Sequence, residues 1–144
     1  MTLSRRDVVM LLPALAATQS GAGQQGSTLP GRVYQSAQVP YAGDDRKKAR
    51  RFLLGPEDSG FNLEVHETVL GPGTETHPPH THEHEEIIIL VEGTVEVSVD
   101  GRKEIVGTGS VIYYEANRPH SLRNAGTVPC RYYVVELRGR NVSG

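Results

Sequence analysis

The chain has no tryptophan, two phenylalanines and one cysteine among its 144 residues. A single cysteine, Cys130, excludes an internal disulfide, and its position far from the N-terminus excludes a lipid anchor built on an N-terminal cysteine. No base stands beside it in the sequence, so it reads as a small buried hydrophobe and not as a nucleophile. No glycine-rich phosphate loop and no dinucleotide fingerprint is present. Lysine and arginine number 15 against 17 acidic residues, a formal charge of −2. That balance gives no basic surface for nucleic acid. The longest N-terminal apolar run, Val8 to Ala17, is too short to span a bilayer and carries Pro13.

What is abundant is glycine, at 16, and proline, at 9. A chain of this length forms one domain, and such turn-rich composition suits short strands. Residues 1–22 read as a signal peptide. Ser4-Arg5-Arg6 resembles a twin-arginine export signal, and Ala14-Leu15-Ala16 or Ser20-Gly21-Ala22 offers the small residues of a cleavage site. Residues 23–51 are expected to be a flexible leader with a charged segment. Within them, 32–40 forms a first edge strand and 44–51 a solvated loop or short helix. The barrel domain is placed at 52–138 and a tail at 139–144.

From Phe52 onward the hydrophobic period is two. Phe61, Leu63, Val65 and Val69 alternate with Asn62, Glu64, His66 and Thr68, the mark of a half-buried strand. His66 falls on the polar side of that alternation and is expected at the surface. Glu67 falls on the apolar side. Pointed into a barrel it is the candidate acid or base, whereas a slip of the alternation near the strand end leaves it exposed. Ile87, Ile89 and Val91 share one face of their strand while Ile88 and Leu90 share the other, so both faces are covered. Val95, Val97 and Val99 point inward, and Asp100-Gly101 is a two-residue hairpin turn. Strands follow at 102–106, 110–114, 121–123 and 131–137. One of Tyr113 and Tyr114, and one of Tyr132 and Tyr133, lines a pocket.

Four of the six histidines lie between His77 and His84. His80 and His82 are two residues apart, which on an extended strand turns both imidazoles to one face. Two neutral imidazoles with a carboxylate suit a divalent transition metal. Glu86 supplies the carboxylate if the chain bends after His82, and His120 is the remaining histidine downstream. His77 and His84 are not assigned as ligands.

These residues carry a resemblance. Gly73, His80-x-His82-x3-Glu86 and Gly93 resemble the first motif of the cupin superfamily, with one extra residue between Gly73 and His80. Gly109, Glu115-x-Asn117-x2-His120 and Asn124 resemble the second. Glu115 stands where the family has proline, and Asn117 where it has glycine; asparagine tolerates the left-handed backbone that such a turn needs. The resemblance covers about residues 60–137. It implies an all-β fold, a double-stranded β-helix jelly-roll barrel, with His80, His82, Glu86 and His120 holding one divalent metal. It also implies functions ranging from dioxygenases and lyases acting on small oxygenated molecules to non-catalytic binding or storage modules.

Several further expectations follow. Export through a twin-arginine route to the periplasm or cell exterior lets the chain fold around iron or manganese in the cytoplasm, before zinc, nickel or copper can compete. The partner is a small-molecule ligand or substrate. No stable membrane anchor remains after cleavage. The second apolar face of the Ile87–Val91 strand predicts a homodimer.

Overall fold

A computed structural model describes residues 28–139; the expected signal peptide and most of the tail lie outside them. Among the described residues nine strands form two antiparallel sheets. The larger has the order β1 (Ala42–Gly43), β2 (Lys47–Pro56), β3 (Asn62–Leu70), β9 (Cys130–Arg138), β4 (Glu85–Glu92) and β7 (Val111–Tyr114). The smaller is β6 (Arg102–Gly107), β5 (Thr94–Val99) and β8 (His120–Asn124). This is the expected all-β jelly-roll barrel. Among the described residues no helix is long and apolar enough to cross a membrane.

The alternating valines pack as their parity predicts. Val95 and Val97 are buried with Leu70, Ile88, Leu90, Leu122, Cys130 and Val134 between the sheets, and Val99 packs against them. Asp100 and Gly101 both take positive φ, 49° and 79°, and close the β5–β6 hairpin. Asn117 also adopts the left-handed backbone, φ 61°, so the turn survives without the family's glycine. Gly93 is required twice over. Its φ is 90°, and a Cβ there would stand 2.7 Å from the Cβ of Cys130.

Asn124, the last residue of the second motif, ties the barrel's end together. Fully buried, it donates from Nδ2 to the carbonyls of Leu70 (2.9 Å) and Val128 (2.8 Å) and accepts from the Gly126 amide (2.8 Å). Three backbone groups thereby gain a partner.

Three N-terminal expectations are corrected. No strand forms over 32–40; a single 3-10 turn, Ser36–Gln38, lies there instead. The charged run is neither loop nor helix beyond Arg46, because β2 begins at Lys47. It extends as a strand because its charges have partners across the ladder, Arg50 beside Glu67 and Arg51 reaching Glu64. The arm before it is not free over its described length. The Leu29 amide donates to the Pro56 carbonyl (2.8 Å), and Tyr34 and Ser36 lie over Phe52, Leu53, Val65 and Tyr133 on the outer face of the larger sheet. The β4–β7 part of that face stays open, with Ile89, Val111 and Tyr113 exposed and Leu137 of β9 exposed beside them.

Candidate metal centre

The two motifs meet through the backbone. His80 and His120 form an isolated antiparallel bridge, with paired N–H to carbonyl bonds of 3.1 and 3.0 Å. The Asn117 amide donates to the His82 carbonyl at 2.7 Å. His80 and His82 therefore sit in a loop and not on a regular strand, and these contacts hold the rings together where strand parity was expected to. Ring centroids are 4.6 Å apart for His80–His120 and for His82–His120, and 5.4 Å for His80–His82. One ligand nitrogen from each lies within 4.8 Å of the others. The chain does bend after His82 and re-enter the sheet at Glu85, bringing Glu86 Oε2 to 3.2 Å from His82 Nε2.

Protonation follows from the hydrogen bonds. His120 Nδ1 donates to the Arg118 carbonyl (2.8 Å), so its Nε2 carries the lone pair, and that buried nitrogen has no hydrogen-bond partner. His82 Nδ1 donates to the His84 carbonyl (2.7 Å), which turns Nε2 toward Glu86 Oε2. Nδ1 of His80 is buried without a partner. Burial and then neighbouring histidines lower the His80 pKa. Burial is also the chief cause for His120, outweighing its bond to Arg118. Neutral rings held by their distal N–H are the form in which histidine binds a metal. His82 Nε2 and Glu86 Oε2 stand 3.2 Å apart, a contact that a shared proton or a cation satisfies. Burial pushes the Glu86 carboxyl up against the pull of His82, with Glu136 and Glu64 adding to the rise. Unpartnered buried nitrogens and an adjacent carboxylate fit a divalent transition ion.

These side chains line a cavity of about 800 Å³, and so do all six histidines. Tyr114, stacked on His120 at 4.2 Å, and Tyr132 line it, with Ile88, Leu122 and Val134 as its apolar wall. Tyr113 is turned outward and exposed, and Tyr133 packs beside Phe52 on the outer face.

Glu67 is corrected. It is neither in the cavity nor exposed. Completely buried on the outer side of β3, it is held by Arg50 and by Arg131 (2.8 Å). Burial raises its carboxyl pKa, but bonds from Arg131, Arg50 and Tyr41 outweigh that and hold it below the usual range. His66, expected at the surface, lines the cavity together with Glu64 and Thr68. The parity of β3 is the reverse of the expected one because the barrel is polar at this end, so its polar residues face inward. Glu136 escaped the sequence reading, and His84, not assigned there as a ligand, lines the cavity with it. His84 stacks on His82 at 3.9 Å and 6°, and its Nε2 lies 3.1 Å from Glu136 Oε2.

Comparison with known proteins adds to this geometry. Residues 66–136 match the model of the Cupin domain family. The chain is 37% identical over 89 residues to L-ectoine synthase of Bordetella parapertussis, covering 60% of this chain and 65% of that protein. It thus spans just under two thirds of the length of the curated relatives it matches. Among solved structures, the polyketide cyclase RemF from Streptomyces resistomycificus superposes with a TM-score of 0.61 at 28% identity, over 79% of this chain and 86% of that one. KdgF from Halomonas gives 0.66 at 17% identity, over 78% and 97%.

Proposed function

The chain belongs to the cupin superfamily, and from that premise we propose that it is a metal-dependent enzyme acting on a small oxygenated molecule bound in its cavity. His80, His82, Glu86 and His120 would hold the ion. When bound, it supplies Lewis acidity to an oxygen of the ligand. The observation that carries this reading is the convergence of three imidazoles whose outer N–H groups are spent on backbone carbonyls or whose buried nitrogens lack partners.

The chain's own residues supply the rest. Ile88, Leu122 and Val134 take the carbon skeleton and exclude water from one side of the cavity. Glu136 stands in the role expected of Glu67. Although burial raises its pKa, the Arg138 guanidinium holds the carboxyl below its usual range, so it is an ionised acceptor within the cavity. Of the two reaction classes expected, the non-oxidative one is better supported, because similar proteins bear the names synthase and cyclase. Iron or manganese remains the favoured ion, on the argument that Arg5 and Arg6 direct export of a folded, loaded chain. The open β4–β7 face, with Val111 and Tyr113 exposed, supports pairing as a homodimer.

The test is a screen of the metal-loaded protein against small hydroxy and oxo acids, with dioxygen uptake followed in parallel. Turnover without dioxygen consumption, lost in His82→Ala, supports the proposal. Turnover that consumes dioxygen places the protein with the oxygenases. Tight binding of a small molecule at full metal occupancy without turnover supports the binding or storage module.

A further inference from the structure

Three glutamates stand in one row across the cavity wall. Glu64 on β3 pairs directly with Glu136 on β9, and Glu136 pairs directly with Glu86 on β4. Like charges in direct register on neighbouring strands oppose one another and destabilise a sheet, and Arg51 and Arg138 offset part of that repulsion at Glu64 and Glu136. Glu86 has the histidine triad beside it. At the other end His66, two residues along β3 from Glu64, turns its ring onto the pair. One ligand atom from each of Glu64, His66 and Glu136 lies within 4.8 Å of the other two, the same span that relates His80, His82 and His120.

The state of these groups favours a cation. His66 Nδ1 is buried, lies 3.3 Å from Glu64 Oε1, and makes no hydrogen bond. Burial, outweighing the nearby carboxylates, lowers the pKa of the ring. Arg138 donates to Glu136 on Oε2, where His84 also approaches, and not on Oε1. Arg51 Nε donates to Glu64 Oε1 (2.9 Å), and Arg138 Nη2 donates to Glu64 Oε2 (2.9 Å) and Glu136 Oε2 (2.6 Å). Partners of this kind, bonded to ligating carboxylates, fix their orientation. His84 links the two clusters, stacked on His82 on one side and 3.1 Å from Glu136 on the other.

We propose that Glu64, His66 and Glu136 form a second divalent-cation site in the same cavity, distinct from the one built on His80, His82 and His120. It is the weaker site. Two carboxylates offset by two guanidiniums carry no net charge, whereas Glu86 brings an uncompensated carboxylate to the triad. The second site fills after the first. It rests on its own residues and survives if the reading of the triad fails.

The experiment is calorimetric titration of the chelator-stripped full chain with zinc ion, on the wild type and on His66→Gln, Glu64→Gln and His82→Ala. Thermal unfolding of each metal-free variant identifies those that fold, and Glu64→Gln, which keeps an acceptor for arginine, serves if His66→Gln does not. The wild type should bind two equivalents in two steps. His66→Gln and Glu64→Gln should weaken the later step by at least about tenfold, the smallest loss typical even of an outer partner, and leave the earlier one unchanged. His82→Ala should remove the earlier step alone. A single equivalent lost in His82→Ala overturns the second site and leaves the triad standing. A single equivalent kept in His82→Ala and lost in His66→Gln supports the second site and removes the triad. Two steps unaltered in both His66→Gln and Glu64→Gln would also overturn the proposal.

Discussion

Replacing Glu67 with glutamine should weaken the fold and leave the cavity's metal affinity intact. The carboxylate is completely buried and receives Arg50 and Arg131 from the two strands flanking β3. Hydrogen bonds to a charged group contribute about 1.5–3 kcal/mol each. Glutamine keeps one acceptor oxygen. The two guanidiniums, 15% and 31% exposed, regain part of their hydration once released. These offsets bring the expected loss to about 2–4 kcal/mol, at the lower edge of that for breaking a buried ion pair. With a urea dependence of about 2 kcal/mol per molar, the unfolding midpoint should fall by about 1–2 M. The pH dependence has a fixed sign. Since the folded pKa of Glu67 is depressed, its contribution is complete above the unfolded value of about 4.3 and shrinks as the pH falls below it toward the folded value. The gap between wild type and variant should therefore close in acid. Urea melts at neutral and acid pH measure both quantities. An unchanged midpoint accompanied by lost activity or metal would refute the reasoning and return Glu67 to the site.

Asn124→Ala should cost about 3–5 kcal/mol, because it strands the Leu70 and Val128 carbonyls and the Gly126 amide; thermal unfolding of metal-free protein checks it, and a loss below about 1 kcal/mol would mean water replaces the side chain. Tyr113→Asp should convert a wild-type dimer to a monomer by light scattering at micromolar concentration, since Tyr113 lies on the open β4–β7 face; a wild type already monomeric there removes the pairing. Replacing Arg5 and Arg6 with lysine should stop export, measured by fractionating producing cells, and undiminished export would detach the leader from the twin-arginine route.

Much of the fold was legible because its signals are local. Asp100-Gly101, Gly93 and the Thr94–Val99 alternation each specify their conformation without reference to distant residues. The gathering of the candidate ligands was legible for a related reason, since residue type and spacing carry it, although His80 and His82 converge through a bridge to His120 and not through strand parity. Parity failed where its premise failed. It assumes an apolar interior, but the open end of this barrel is polar, and Glu64, His66 and Thr68 face inward while Glu67 is buried outside by two arginines. Those arginines also explain why the charged run became a strand, since partners across a ladder are invisible to a reading of neighbours along the chain. Histidine composition held a usable signal, for all six rings gather at one cavity.

The central claim is tested most directly by counting the ion that stays with the chain. Wild type, His82→Ala and His77→Ala are purified alike and dialysed against metal-free buffer, and transition metal per chain is measured by elemental analysis. His77 lies against His80, with ring centroids 3.7 Å apart, but is not assigned as a ligand. The account predicts close to one tightly held ion per chain in the wild type and in His77→Ala, and almost none in His82→Ala. Equal metal in the wild type and His82→Ala would contradict it.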